Sequence, residues 1–266
     1  MTTASPTLRT FYVFCGLTYG WSWSVWALGM AVYAGWLPLP AAARSGLAVL
    51  AASGPSLAAL YLTYLLRGAS GLRALLEIFR PKGSPVLWFL ALALPIILHL
   101  LARWTAAPPT GGAMGLPLPS EADIGLWTPL ILPQLLIGGP LQEELGWRGY
   151  ALPLLLQRLT FVRANLVLGL VWGCWHLPLF LTLYADRSFP AFLLQAIPFS
   201  FVLGGILLRS HSLWPVMFCH FSWNLSSLLL PLNGTGRVVL ALLLTIWAFA
   251  SLRKARKTTL LHTSQP

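Results

Sequence analysis

The chain consists largely of long apolar segments separated by short polar connections. About eight such segments lie near residues 11–34, 46–66, 86–104, 126–155, 164–183, 189–208, 212–231 and 238–252. A helix that crosses a bilayer needs roughly 20 apolar residues, with a range of about 17–25. Only 9% of the residues are charged, against about 25% in soluble domains, so the chain cannot cover itself with a polar surface. The sequence predicts an all-α, polytopic membrane protein of about eight transmembrane helices, with seven as the alternative count, in one integral domain over 1–266.

The basic residues are distributed unevenly over the connections. If the N-terminus is cytoplasmic and the segments alternate, twelve basic residues fall on the cytoplasmic side: Arg9, Arg67, Arg73, Arg80, Lys82, Arg158, Arg163, Arg209, Arg253, Lys254, Arg256 and Lys257. Four fall on the other side: Arg44, Arg103, Arg187 and Arg237. Cytoplasmic loops carry an excess of Lys and Arg, so both termini are predicted to be cytoplasmic. In so apolar a chain, the net charge of +11 favours anionic lipid, not nucleic acid, as the partner.

The connection between the second and third segments, GASGLRALLEIFRPKGSP, has an amphipathic pattern. Its apolar residues recur at helical spacing, whereas its charged residues face elsewhere; the apolar set is Leu72, Leu75, Leu76 and Phe79. This pattern is typical of a short helix that lies in a membrane interface. We therefore expect an interfacial amphipathic helix on the cytoplasmic side, with a solvated loop as the alternative.

Two adjacent acidic residues stand out in the segment GGPLQEELGWRGY. Glu143 and Glu144 are two of only six acidic side chains in the chain. An acidic side chain at the centre of a membrane helix costs about 2.5–3.5 kcal/mol, whereas a leucine returns only about 0.3–0.6 kcal/mol. Carboxylates inside a membrane are functional by default and face a bundle interior or a wet cavity. Glu144 can pair with Arg148 one helical turn on, which leaves Glu143 free for another partner; an interfacial Glu–Arg bridge is the structural alternative.

Two further apolar segments carry strongly polar side chains. LVLGLVWGCWHLPLF contains His176, and WPVMFCHFSWN contains His220 and Asn224 four residues apart. Alone, each could serve packing or interhelical hydrogen bonding, and we interpret His99, which no motif surrounds, as a packing or lipid-interface residue. Together with Glu143 they can activate a water molecule and stabilise an oxyanion. Glu143, His176 and His220 also match the ligand types of a catalytic zinc, so the cofactor is either none or one divalent metal such as zinc.

These three segments carry a family resemblance. EELGWR resembles the EExxxR motif of the CPBP family, the intramembrane proteases named for CAAX proteases and bacteriocin-processing enzymes and also called the Abi family. WGCWHLP resembles its FxxxH motif, with Trp172 in place of phenylalanine, and HFSWN resembles its HxxxN motif. The resemblance covers about residues 125–230 as a catalytic core. It implies an endopeptidase for membrane-tethered peptides, CAAX-type prenylated ones among them, with a cavity open toward the cytoplasm and the lipid.

The resemblance also implies roles for individual residues. Glu143 and His176 would activate the attacking water, His220 and Asn224 would stabilise the oxyanion, and Glu144 and Arg148 would support the site or bind substrate. A metallo-endopeptidase remains open beside a glutamate-dependent one. The alternative functions are a non-catalytic scaffold or bacteriocin-immunity-type protein of the same fold, and a proton-coupled transporter with Glu143 and His176 as a relay. The sequence shows neither paired half-helices nor an inverted repeat, which are the features that would favour transport.

Overall fold

Helices make up every regular element of the computed structural model, which describes residues 6–106, 135, 139–182 and 184–262. The first four helices are α1 Pro6–Tyr33, α2 Ala41–Ala52, α3 Gly54–Leu76 and α4 Pro85–Thr105. The next are α5 Pro140–Glu144, a π-helix over Leu145–Ala151 and α6 Leu152–Leu156. The last are α7 Phe161–Trp175, α8 Phe189–Ser210, α9 Leu213–Leu229 and α10 Gly234–His262. No strand occurs in these residues, which confirms the all-α prediction.

Several of these helices are suited to a bilayer. Within the described residues, three segments are long and apolar enough to cross a membrane: Pro85–Thr105, Phe161–Leu181 and Phe189–Ser210. A fourth candidate is the bent pair Gly46–Ala52 and Gly54–Phe79, with 45° between its halves. Together they indicate a multipass integral membrane protein. The predicted count of eight is not reached in the described part of the chain, which has three such helices, or four with the bent pair.

The second predicted segment, near 46–66, is broken instead of continuous. α2 ends one residue before Ser53, and α3 begins at Gly54 with Pro55 in its first turn. Proline has no amide hydrogen to donate to the preceding turn and is best accommodated at a helix start. The Gly54–Pro55 pair therefore begins a new helix where the hydropathy pattern predicted one straight span.

The predicted interfacial helix is the continuation of α3, not a separate element. The chain bends at Gly68, which has a φ of 61°, a conformation that glycine adopts without steric cost. Beyond this residue Leu72 and Leu75 are partly buried while Arg73 is exposed, and a 3₁₀ turn, Glu77–Phe79, ends the segment. Of the predicted apolar face, Leu72, Leu75 and Phe79 are thus partly buried whereas Leu76 is exposed, and the position of the segment in a membrane interface stays a prediction.

The fourth predicted segment, near 126–155, is described only in its second half, apart from Leu135. That half is not one α-helix, because the π-helix separates α5 from α6. Single π-helical turns inside α-helices are rare and are frequent at functional sites. The acidic pair therefore lies at a helical irregularity in the bundle interior, not on a regular span.

The helices run between two common ends of the bundle. α1 runs parallel to α7, because Tyr19 Oη donates to the carbonyl of Val171 at 2.5 Å and Trp23 Nε1 to that of Trp175 at 3.0 Å. α4 runs parallel to α9, since Ser222 Oγ donates to the Leu92 carbonyl at 2.6 Å and, further along both helices, His99 Nε2 lies 3.1 Å from Ser227 Oγ. The ends of α4, α7 and α9 thereby lie on the same side as the beginning of α8. The buried core between them holds large aromatic side chains, among them Phe14, Trp147, Trp175 and Phe199.

One glycine allows α3 and the π-helix to approach closely, and its replacement gives a first prediction. A Cβ at Gly146 would lie 2.4 Å from the backbone carbonyl atoms of Pro55. Because backbone cannot swing aside, we expect Gly146→Ala to lower the free energy of unfolding by about 1–3 kcal/mol. Unfolding in detergent micelles titrated with dodecyl sulfate measures the change. In the matched control Gly149→Ala, the new Cβ meets the flexible end of Leu145 at 3.3 Å; equal stability of the two variants would contradict this packing.

Candidate active site

Three charged side chains are buried where α5 meets the π-helix. Glu143 is 6% exposed, and Glu144 and Arg148 are completely buried. α5 begins at Pro140, directly after Gly139, which has a φ of 119°. A Cβ at Gly139 would lie 2.8 Å from Glu143 Oε1, so any other residue would be strained and would press on the carboxylate. The glycine therefore lets the backbone pass directly beside Glu143.

The Glu143 carboxylate faces α7. Trp172 Nε1 donates a 2.7 Å hydrogen bond to Glu143 Oε2. His176 Nε2 lies 4.0 Å from the same oxygen, which is too long for a direct hydrogen bond. A separation of this size is one that a water molecule can bridge. The Glu143 carboxylate is thus held by the Trp172 indole, and one water molecule can bridge it to the His176 imidazole.

His176 directly follows α7, and the helix end determines how its ring is oriented. His176 Nδ1 lies 2.8 Å from the backbone carbonyl oxygen of Trp172. Because a carbonyl oxygen only accepts, Nδ1 carries the ring proton. The neutral ring then presents Nε2, the nitrogen toward Glu143, as an acceptor. Trp172 therefore positions both groups, one through its indole and the other through its backbone.

The second carboxylate faces α9. Glu144 Oε1 accepts a 2.9 Å hydrogen bond from an Nη of Arg148 and lies 2.7 Å from His220 Nδ1. The structure contains the expected Glu144–Arg148 pair and adds His220 to it. The guanidinium carbon of Arg148 also lies 4.5 Å from the ring centroid of Trp172, a cation–π distance. These contacts join the π-helix, α7 and α9 around one buried cluster.

A cavity of about 200 Å³ is lined by residues that contact the two carboxylates. Its wall includes Trp172, His176, His220 and Asn224. A Cβ at Gly139 would lie 3.7 Å from Asn224 Nδ2, so this amide approaches the backbone that Glu143 also contacts. His176 at the end of α7 and His220 and Asn224 on α9 therefore line one cavity, next to residues that contact Glu143 and Glu144.

The residues predicted from the three motifs come together, but in two groups. Glu143 and His176 form one group, and Glu144, Arg148 and His220 form the other; Asn224 lines the cavity they share. The roles that the sequence suggested for them stay predictions.

Sequence analysis missed two contributions to the site. Trp172 was interpreted only as an aromatic replacement, although an indole N–H is a hydrogen-bond donor that phenylalanine lacks. His99 was interpreted as a packing or lipid-interface residue. It lines the cavity and contacts the Pro95 carbonyl at 2.8 Å and Ser227 Oγ at 3.1 Å. No motif surrounds His99, so only the fold could place it there.

The candidate metal ligands do not form a metal site in this structure. Within the described residues, no group of three or more His, Cys, Asp or Glu side chains has the proximity to hold a metal ion. His220 directs Nδ1 to Glu144, and Glu143 Oε2 is engaged by the indole of Trp172. Glu143, His176 and His220 therefore do not fit a zinc site as they are arranged.

The fold and the site define a class of protein: a multipass helical membrane protein whose interior holds two carboxylates, an arginine and two imidazoles. Residues 125–226 match the model of the type II CAAX prenyl endopeptidase Rce1-like family. The chain is also similar to CAAX prenyl protease 2 of Methanococcus maripaludis strain S2, with 27% identity over 110 residues. Both matches support the assignment to the CPBP family that the three motifs indicated, and the prediction of the family is confirmed.

These similarities cover part of each protein. The alignment to the archaeal relative covers 36% of this chain and 40% of that protein's length. The matched family region begins at residue 125, before the acidic pair, and ends at residue 226, just after Asn224. It contains α5, α7, α8 and most of α9, which are the elements that bring the polar residues together.

Proposed function

We propose that the protein is an intramembrane endopeptidase that hydrolyses peptide bonds of membrane-tethered substrates with a water activated by Glu143 and His176. The single observation that carries this proposal is the 4.0 Å separation between Glu143 Oε2 and His176 Nε2, next to a cavity that His176 lines. Both atoms are acceptors when Glu143 is ionised and His176 is neutral. A water molecule that donates one hydrogen to each would lie next to the cavity that His176 lines, with its oxygen lone pairs free to attack.

The chemistry that follows is direct hydrolysis. The water oxygen attacks the carbonyl carbon of the scissile peptide while Glu143 takes its proton, and the carbonyl π electrons move to the oxygen as an oxyanion. When the tetrahedral species collapses, the C–N bond breaks and the proton passes from Glu143 to the departing amine nitrogen. The products are a new carboxyl terminus and a new amino terminus. Burial of the site strengthens each of these electrostatic interactions.

His220 and Asn224 are suited to stabilise the oxyanion. The two residues lie one helical turn apart on α9 and both line the cavity. Because His220 Nδ1 is directed to Glu144, its Nε2 donates a hydrogen bond only when the ring is an imidazolium. Glu144 would orient the His220 ring, and Arg148 would hold Glu144 in place.

The substrate class is inferred from the family. The relative is named a CAAX prenyl protease, and the matched family is that of type II CAAX prenyl endopeptidases. A lipid-modified tail near the membrane surface would bring the scissile bond to a site between apolar helices. The partners are accordingly a membrane-tethered protein or peptide and the lipid bilayer.

The proposal is tested by mass spectrometry of peptide products. The purified protein is reconstituted in liposomes with a library of lipidated and single-span peptides, with and without a strong chelator. We expect a defined set of cleavage products that persists with the chelator present. Absence of products from every tethered peptide would contradict proteolysis. Zinc bound in a 1:1 ratio, whose removal and return abolish and restore cleavage, would replace the glutamate-dependent mechanism with a metal-dependent one.

Removal of the amide donor gives a prediction for the oxyanion site. We expect Asn224→Ala to lower kcat by about 10²–10³-fold with little change in stability, because loss of one oxyanion donor typically has that effect. Single-turnover cleavage and thermal unfolding of the same preparation measure both quantities. Ser227→Ala is the matched control, since Ser227 lines the same cavity and contacts His99. Equal loss of activity in the two variants would remove Asn224 from this role.

The indole of Trp172 gives a further prediction. Trp172→Phe keeps an aromatic ring but removes the donor to Glu143, and a hydrogen bond to a charged group contributes about 1.5–3 kcal/mol. We therefore expect kcat to fall about tenfold or more, with KM nearly unchanged, since the substrate does not depend on this bond. Trp223→Phe, at another tryptophan of the cavity wall, should keep kcat. A change in KM alone would show that Trp172 acts on substrate and not on Glu143.

A further inference from the structure

The cavity reaches the surface at a mouth formed by Arg187, Pro231 and Arg237. Its wall extends from the buried His220 to Arg187 and Pro231, which are exposed, and to Arg237, which is partly buried. Arg187 lies in the connection between α7 and α8, Pro231 follows α9, and Arg237 lies in the first turn of α10. A peptide that extends from the site to the surface therefore passes two guanidinium groups.

The mouth carries positive charge without a counterion. Among the described residues that line the cavity there is neither an aspartate nor a glutamate. In the same part of the chain, no carboxylate forms an ion pair with Arg187 or Arg237. Both side chains stay protonated at physiological pH, because a guanidinium is not deprotonated in proteins. A recess that is lined by one sign of charge attracts a ligand group of the opposite sign.

Arg237 is held in place by contacts that use only part of its guanidinium. Its Nε donates to the Leu232 carbonyl at 3.2 Å, and its own carbonyl accepts a hydrogen bond from Gln195 Nε2 at 3.4 Å. Neither Nη group donates to another of the described residues. The positioned fork therefore has two donors left, which is the geometry in which arginine binds a carboxylate bidentately.

Arg187 supplies a second cation from another part of the chain. Its guanidinium carbon lies 4.6 Å from the ring centroid of Tyr184, a cation–π distance. Tyr184 itself lines the cavity. The ring contact therefore holds the Arg187 side chain against the cavity wall, although the residue is exposed.

The anionic group that suits this mouth is the carboxylate at the C-terminus of a peptide. In the substrate class proposed above, the CAAX sequence is C-terminal and carries its lipid on the cysteine. The lipid favours apolar surroundings by about 0.8 kcal/mol for each buried CH₂ group. The free carboxylate is the charged end of such a peptide, and the mouth is the charged part of the cavity wall.

We propose that Arg237, together with Arg187, binds the C-terminal carboxylate of the substrate and so makes the protein select peptides with a free C-terminus. The peptide nature of the ligand rests on the proposed function, whereas binding at the mouth does not require hydrolysis. Arg237 and Arg187 are thus specificity residues and take no part in water activation.

The carboxylate site is tested with two lipidated peptides that differ only in the C-terminal group, a free acid and an amide. We expect kcat/KM of the wild-type protein to be about 10–100-fold higher for the acid, the effect of one hydrogen bond to a charged group. Arg237→Gln should abolish this preference by lowering kcat/KM for the acid alone. Arg237→Lys keeps the charge but not the fork, so an intermediate preference is expected. The matched control is Arg163→Gln, at an exposed arginine in the first turn of α7, which should keep the preference.

Equal cleavage of the acid and the amide by the wild-type protein would overturn the proposal. So would an equal loss of both activities in Arg237→Gln, which would make Arg237 a structural residue. The phosphate of a lipid headgroup is the competing anion: equal inhibition of both peptides by anionic liposomes, without a preference for the acid, would assign the mouth to it.

Binding of the same peptides to Glu143→Gln, followed by fluorescence anisotropy, separates recognition from hydrolysis. We expect this variant to bind the acid more tightly than the amide, and Glu143→Gln/Arg237→Gln to bind both equally. If the acid is preferred in binding while the wild-type protein cleaves neither peptide, the proposed function fails and the carboxylate site stands. Equal binding of both peptides to Glu143→Gln would overturn the carboxylate site alone.

Discussion

Replacement of Glu143 by glutamine is expected to abolish proteolysis while the folded protein remains in the membrane. Glutamine has nearly the same volume and can still accept the hydrogen bond that Trp172 donates to Oε2. It cannot take a proton from water, and a positioned general base contributes about 10²–10⁴-fold to the rate. We therefore expect kcat to fall by at least that range, measured in single-turnover cleavage of a peptide that the wild-type protein hydrolyses.

The control for this experiment is Glu77→Gln. Glu77 is an exposed carboxylate that pairs with Arg80 in the connection after α3, far from the cavity, so its replacement should leave kcat unchanged. Equal thermal unfolding of both variants would show that the fold is intact. Full activity of Glu143→Gln would remove Glu143 from the catalytic role. A cellular phenotype shared by wild type and Glu143→Gln, without cleavage by either, would favour a scaffold.

The largest effect on stability is expected at Glu144. Arg148 is completely buried, and Glu144 is its carboxylate partner. Removing one member of a buried ion pair typically lowers stability by about 3–5 kcal/mol, because the other charge remains buried and uncompensated. Glu144→Gln keeps the volume of the side chain, so a loss of this size would come from the charge and not from a cavity. Unfolding in micelles titrated with dodecyl sulfate measures it.

A second replacement separates the effect of the charges on stability from the effect of side-chain packing. In the double variant Glu144→Gln/Arg148→Met neither charge remains, and we expect it to regain most of the stability that the single variant loses. Activity should not return, because His220 would lack its anionic partner. A double variant less stable than Glu144→Gln would show that Arg148 contributes mainly by packing. A single variant as stable as the wild type would contradict the buried pair.

The sequence identified the polar residues that come together inside the bundle because the bilayer makes such residues conspicuous. Carboxylates, imidazoles and amides are rare in apolar helices, so Glu143, His176 and His220 stand out from their surroundings without any knowledge of the fold. The sequence did not show which of these residues contact one another. Spacing along one helix indicates the Glu144–Arg148 pair, whereas the contact between Glu144 and His220 joins residues 76 positions apart.

Other features depended on tertiary structure. Hydropathy averages over a window, so it could not show that Gly54–Pro55 divides one apolar segment into two helices. A tryptophan in an apolar helix looks like core packing, and only its proximity to Glu143 shows that the indole is a donor.

The central claim is that water held by Glu143 and His176 attacks the peptide directly. Single-turnover cleavage in water enriched in oxygen-18, with mass spectrometry of both the product and the protein, tests it most directly. We expect one oxygen-18 atom in the new carboxyl terminus after the first turnover and none in Glu143. Oxygen-18 in the Glu143 side chain instead of the product would show that Glu143 is a nucleophile and would contradict the account.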